Sequence, residues 1–357
     1  MLIGTTKTPE PPPILGLFDK RIDGDDALWN LAGLRFKQAG LGAELYADTP
    51  GELEGILRFK PPEVTPVTVH LNREINLFEE AGRRLALDFA GQFKDRIFGL
   101  IIHDQREAED RLDEYVGILQ GMNQEMDEAA EGPIIFIEYA AGLPTASYVA
   151  LMQSIRGLAH ISSCLDTGHI GLWHARFLFA QMHPGKDIFD YKSDGSGLPE
   201  VIDDIQHAVR SGADEVLRVI RRISRLKKPV HFHLHDGHPL STFSPLGASD
   251  HLSFLSWIPA PFEHEGKAFF HPMFGPSGLS GIIGESLVLF GPERLTYTLE
   301  IHPQEGRLPL GDASHLFDHW SDKENAERMN YWLSILQANQ MLVADYASRI
   351  LEISDIE

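Results

Sequence analysis

Pro133-Ile134-Ile135-Phe136-Ile137-Glu138-Tyr139 is a short apolar run that closes on a carboxylate. It is too short for a buried helix and rich in branched side chains, so it reads as a strand covered on both faces. The pattern recurs on either side of it. C-terminal to it lie His160–Asp166, Pro229–His235 and Leu295–Ile301. N-terminal to it lie Ile14–Phe18, Ala43–Ala47, Pro66–Leu71 and Phe98–His103. Helix-like stretches separate these runs. They include Asp26–Gln38, Ile75–Ala90, Gln105–Ala130, Leu198–Arg210 and Ala213–Leu226, and a last helix is expected from Lys323 to Ile353. Eight strands alternating with helices predict an α/β fold, a closed (β/α)8 TIM barrel, with right-handed crossovers joining parallel neighbours.

The chain of 357 residues is long enough for one such barrel, so residues 1–357 are expected to form a single domain. Two spacings exceed the regular rhythm. Residues 170–228, after the sixth strand, predict a helical insertion. Residues 236–292, after the seventh, predict a loop-rich one over the C-terminal face, where barrel enzymes place their sites. The aromatics Phe243, Phe254, Trp257, Phe262, Phe269, Phe270 and Phe274 leave open packing within that insertion, an apolar lid, or a contact between copies in a homo-oligomer. Trp332, Leu333, Ile335 and Leu336 are expected to close the barrel wall.

The formal charge is −21, which repels nucleic acid and anionic membrane at long range. The lone cysteine, Cys164, excludes an intrachain disulfide. The N-terminus shows no apolar leader core, and the longest uncharged stretch, Tyr139 to Ile155, contains Pro144, Ser147 and Gln153. The expectation is a soluble, cytoplasmic protein. One basic cluster, Arg218, Arg221, Arg222, Arg225, Lys227 and Lys228, precedes the seventh strand and reads as a solvated helix face away from the site.

Candidate chemistry lies at the ends of six successive strands. They close on His70, His103, Glu138, Asp166, the run His231-Phe232-His233-Leu234-His235-Asp236, and Glu300. Each carboxylate following an apolar run is costly to bury alone. Three converging on one mouth, joined by imidazole, suit a divalent ion such as Mn, Mg, Co or Zn. Period two puts His231, His233 and His235 on one face, with His231 deepest and structural.

Leu165-Asp166-Thr167-Gly168-His169, His233-Leu234-His235-Asp236 and Ile137-Glu138-Tyr139-Ala140-Ala141-Gly142 resemble motifs of the xylose isomerase-like TIM-barrel superfamily, which includes the family 2 AP endonucleases. Leu299-Glu300 resembles its last glutamate, and the likeness spans about residues 14 to 302. In the isomerase and epimerase branch the resemblance implies a metal held by Glu138, Asp166, His233 and Glu300, with His169 touching substrate. In the endonuclease IV branch, histidines matching His70 and His103 help hold three zinc ions. His235 and Asp236 are then candidates for supporting roles or a second ion, and His271 for a remnant ligand. The chain departs from both branches. It lacks the Asp-Arg-His element of the endonucleases, having His271-Pro272-Met273-Phe274 instead. It also has Gly237-His238-Pro239 where epimerases carry an arginine.

The resemblance implies first a metal-dependent isomerase or epimerase acting on a sugar-like polyhydroxy carbonyl compound, through an enediolate, with Glu138 and Glu300 as base and acid. No recognisable phosphate-binding glycine loop follows strand seven or eight, so the expected partner is a neutral small molecule. The alternatives are a multi-zinc phosphodiesterase acting on abasic DNA, and a non-catalytic metal-binding barrel.

Overall fold

The computed structural model describes residues 10–18, 26–128, 132–140, 142–191, 196–236, 262–264, 267–269, 273–300 and 326–354. Seven strands come first: β1 (Ile14–Leu17), β2 (Gly42–Tyr46), β3 (Val67–His70), β4 (Gly99–His103), β5 (Ile134–Glu138), β6 (Ile161–Asp166) and β7 (Val230–Leu234). A short antiparallel pair, β8 (Phe262–His264) and β9 (Lys267–Phe269), follows, and then β10 (Leu295–Leu299). The parallel strands close in the order β1-β10-β7-β6-β5-β4-β3-β2. All eight runs read from the sequence are barrel strands, and the (β/α)8 expectation is met.

The helices are α1 (Asp26–Ala39), α2 (Pro50–Leu57), α3 (Glu80–Gln92), α4 (Leu112–Glu128), α5 (Thr145–Ser154), α6 (Thr167–Met182), α7 (Ile202–Arg210), α8 (Gly212–Ile223), α9 (Gly275–Phe290) and α10 (Ala326–Ser354). α5 and α9, the latter within the stretch read as loop-rich, had not been expected, and nor had α2. Thr49 caps it by accepting the Glu52 amide at 3.2 Å, with Pro50 at the first position, which is a local start signal strong enough for an eight-residue helix. The stretch expected as one helix over Gln105–Ala130 begins with a separate 3-10 turn at Arg106–Glu109 before α4. Residues 170–228 are largely helical: α6 packs on α7 and α8, and α8 packs between α5 and α9 in the outer ring.

Strict alternation positions the site. Leu100, Ile102, Ile135, Ile137, Leu165, Phe232, Leu234, Tyr297 and Leu299 belong to the main apolar core, which lies between strands and helices. The alternate residues face the barrel interior. There, among the described residues, the apolar side chains include a small plug of Ile101, Phe136 and Cys164, with Leu15 and Leu17 of β1. Much of the interior is polar and buried, with Glu44, Thr68, His70, Glu138, Asp166, His231, His233, Thr296, Thr298 and Glu300. α10 completes the wall. Met329, Leu333, Leu336, Val343, Ala347 and Leu351 form its buried stripe. A Cβ at Gly16 would lie 2.6 Å from Leu336 Cδ2, so glycine lets α10 sit close to β1. The side chains of Trp332 and Ile335 lie outside the described set, as do Phe243, Phe254, Trp257 and Phe270.

Candidate metal centre in the barrel mouth

Asp166 ends β6 and starts α6. Its carboxylate accepts the His169 amide at 2.7 Å as the helix N-cap. The next glycine has a steric reason. A Cβ on Gly168 would lie 1.9 Å from His235 Cε1, so only glycine admits that imidazole against the first turn. His235 Nε2 then donates to Asp166 Oδ1 at 2.7 Å, and its Nδ1 lies 3.3 Å from the Asp236 carbonyl. His169 Nδ1 is 3.8 Å from Asp166 Oδ2.

Glu138 lies at the centre of a second set. His70 Nε2 donates to its Oε2 at 2.9 Å, and His103 Nε2 approaches the same oxygen at 3.3 Å. His233 Nδ1 faces Glu138 Oε1 at 3.2 Å and Glu300 Oε2 at 3.3 Å. The two sets adjoin at Glu300, whose Oε2 is also 3.8 Å from His235 Nε2. The Nδ1–H of His70 donates to the Leu71 carbonyl at 2.9 Å. This backbone anchor turns Nε2 towards the mouth, the orientation that serves a metal-binding imidazole. His233 is held differently. Its Nε2 faces Glu44 Oε1 at 3.2 Å, so the ring links carboxylates above and below it.

Glu44 is the buried acid that sequence reasoning missed. Its Oε2 accepts from Thr68 Oγ1 and Thr298 Oγ1, both at 2.9 Å, and from His231 Nε2 at 3.1 Å. His231 Nδ1 meets Thr296 Oγ1 at 2.6 Å, so His231 is a structural member of this layer beneath the mouth. The signal was present. Glu44 stands between Ala43 and Leu45, and its turn in the alternation points inward.

Burial acts on all these groups, and the neighbours decide the direction. It opposes the ionised form of Glu138, yet His233, His103 and His70 hold that carboxyl well below its ordinary range. Burial likewise opposes the anion at Glu44, and His233 and His231 override it. Burial opposes the cation at His233, but Cys164, Glu44, Glu300 and Glu138 raise its pKa well above the usual value. His103 yields to burial and falls to about 4, so it is neutral at the pH of a cell.

Among the described residues, three groups have ligand atoms within 4.8 Å of one another, close enough to hold a metal ion. They are His70, Glu138, His233 and Glu300; Asp166, His169 and His235; and Cys164, His231 and His233. Of the four ligands implied by the resemblance, Glu138, His233 and Glu300 share one group, while Asp166 stands in the adjoining one. His103 belongs to none of the three. Asp236 receives the amides of Phe274 at 3.2 Å and Gly275 at 2.9 Å, at the start of α9. His271 lies outside the described residues.

Three members of the basic cluster have partners of their own, while Arg225 and Lys227 are exposed, as expected. Arg221 Nη2 holds Glu285 Oε2 at 2.7 Å, and Arg218 pairs with Glu215. Lys228 is not solvated as expected. It is buried, with Nζ donating to the carbonyls of Ile155 (3.2 Å), Leu158 (2.6 Å) and Ile161. Those carbonyls close off α5 and open β6, and the lysine gives them a donor in the interior.

The fold and site define a closed (β/α)8 barrel with a buried histidine–carboxylate centre at the C-terminal ends of its strands. No family model matches the chain, and no curated protein does. Among solved structures it is similar to the carboxyl transferase domain from Rhizobium etli pyruvate carboxylase with 3-hydroxypyruvate, at 12% identity and a TM-score of 0.33. That alignment covers 95% of this chain, which spans 48% of the other. The fold assignment rests on the closed strand order. No described helix is long and apolar enough to cross a membrane.

Proposed function

We propose that this chain is a divalent-metal-dependent isomerase or epimerase of the xylose isomerase-like kind, acting on a small polyhydroxy carbonyl compound. The observation that carries the reading is the convergence of Glu138 and Glu300 on one nitrogen, Nδ1 of His233, at 3.2 and 3.3 Å. Glu44, Glu138, Asp166 and Glu300 each pair with at least one histidine. Buried acids set against titratable imidazoles fit a site built for a divalent cation. His70, Glu138, His233 and Glu300 would hold it, with Asp166, His169 and His235 adjoining. When bound, such an ion polarises the substrate carbonyl.

The remaining work falls to the side chains. One of the two glutamates takes the proton from the carbon beside the carbonyl, leaving an enediolate, and a carboxyl group returns a proton. Return at the former carbonyl carbon, with the hydroxyl proton passing from one enediolate oxygen to the other, gives the isomer, and return to the opposite face of the original carbon gives the epimer. His103 is the most exposed histidine of the Glu138 set, with a side chain 25% exposed, and would orient a hydroxyl. The likeness of Leu165–His169 and His233–Asp236 to the superfamily's strand motifs supports the same class.

A second reading, a multi-zinc phosphodiesterase, is favoured by one observation. His70 and His103 both meet Glu138 Oε2, as the endonuclease branch would require. The pairing of Arg218 and Arg221 with glutamates and the charge of −21 count against a DNA backbone. Metal analysis combined with assays on aldose–ketose pairs and on abasic DNA decides. One essential ion per chain, with sugar turnover lost in Glu138→Gln, is expected. Two or three ions with cleavage of abasic DNA would overturn the isomerase reading.

A further inference from the structure

Two loops at the C-terminal end of the barrel and the flank of α6 line an open cavity of about 530 Å3. Its walls trail residues of the mouth by a few positions. Arg106 and Glu109 follow His103, Gly142–Ala146 follow Glu138, and Trp173–Phe177 follow His169. His169 and Trp173 are one turn apart on α6 and share a face. The cavity therefore belongs to the side of the barrel that carries the candidate centre.

Its lining is largely apolar: Tyr139, Leu143, Pro144, Trp173 and Phe177. Phe177 stands 61% exposed at the edge, a large apolar face for a surface helix to leave in water. Of the charged groups in the lining, Arg176 is paired outside it, and Arg106 and Glu109 bring opposite signs. Arg176 Nε holds Asp187 at 3.0 and 2.8 Å, and its guanidinium lies 4.4 Å from the Trp173 ring and 4.9 Å from Phe189. Arg106 shares its short 3-10 turn with Glu109. Such a lining offers little to a phosphate and much to a planar hydrocarbon. The loop after β5 is also held in place. Buried Asp104 accepts the amides of Ala140 at 3.1 Å, Gly142 at 3.0 Å and Leu143 at 2.9 Å. The wall is built before any ligand arrives, which lowers the ordering cost of binding.

We propose that this cavity is the subsite for the non-reacting part of the substrate, and that the substrate is a polyhydroxy carbonyl compound bearing a planar apolar arm. The inference rests on the reading of the mouth given above. A volume of about 530 Å3 is in the range that encloses drug-sized ligands, and a bare sugar would leave it largely unfilled.

The test uses full-length protein, metal-stripped and Mn-loaded, with 6-O-benzyl-D-glucose, D-glucose and benzyl alcohol as probes. Calorimetry gives the affinities of the sugars, and saturation-transfer NMR reports the alcohol. The benzyl sugar is expected to bind at least tenfold tighter than glucose, and benzyl alcohol to bind with or without metal. Ala146→Trp, an exposed position that would fill the cavity, is expected to abolish the benzyl advantage, and Phe177→Ala to reduce it several-fold. An undetectable benzyl alcohol signal, equal affinity for the two sugars, or unchanged binding in Ala146→Trp would overturn the subsite. Cavity-dependent binding without turnover of any carbonyl sugar would uphold the subsite and sink the isomerase reading. Turnover of bare sugars unaffected by Ala146→Trp would do the reverse.

Discussion

Glu44 and Glu138 show how one residue type serves two ends. Both are inward glutamates on short strands, and both are surrounded by imidazoles. Glu44 is sealed among hydroxyls and His231, while Glu138 opens to the mouth through His103. Removing Glu44 strands Thr68, Thr298 and His231 in the interior. Glu44→Ala is expected to cost about 3–5 kcal/mol, read as a shift in urea midpoint. Glu44→Gln keeps the volume but not the charge facing His233 Nε2, and is expected to weaken metal binding by about 10–100-fold in calorimetry. Unchanged affinity would show that Glu44 does not position His233. At Gly168 the limit is steric. Gly168→Ala drives a methyl into His235 and is expected to destabilise by about 1–3 kcal/mol, seen as a lower Tm.

At the scale of elements, alternation does most of the work. His231-Phe232-His233-Leu234-His235 places every histidine inward and every apolar residue towards the helices, so one strand serves the core and the site together. The sequence made that period visible. It did not reveal which histidine meets which acid, because depth along a barrel depends on the register of neighbouring strands. In the register found, Asp166 pairs with His233, yet the side chain that reaches its carboxylate is His235. The loop between α8 and β7 carries a different consequence. Burial lowers the pKa of Lys228 from 10.5 to about 8. The folded protein therefore releases this proton first, and between those values the unfolded chain binds more protons. The group's contribution to stability is constant below about pH 8 and rises with pH up to about 10.5. The stability difference between wild type and Lys228→Met, followed by urea denaturation from pH 7.5 to 10.5, should grow in that sense. A flat difference would mean that the three carbonyls keep the ammonium charged throughout.

For the whole molecule, the last helix and the mouth are coupled through barrel closure. α10 rests on β1 through Leu336 and reaches α1, where Gln340 Nε2 donates to the Ala39 carbonyl at 2.7 Å. Leu336→Ala is expected to cost about 2–5 kcal/mol, measured by chemical denaturation. The mouth gathers buried acids that a cation would stabilise, so ion binding should stabilise the folded chain. At a hundred times its Kd the gain is about 2.7 kcal/mol. A chelator should then lower Tm, with recovery on adding Mn or Zn. A Tm indifferent to chelator and added metal would argue against an ion bound by the folded state.

The eight strands, the (β/α)8 class and the gathering of acids and histidines at strand ends were determined by the sequence alone, because apolar runs and their period are local properties. Only the tertiary structure decided how those groups divide: Glu138 with His70 and His233, Asp166 with His169 and His235, Glu300 adjoining both. It alone exposed Glu44 as the floor beneath them and the walled cavity beside them. Those relations join residues as far apart as Glu44 and Thr298, and closing the barrel is what brings them within hydrogen-bonding distance.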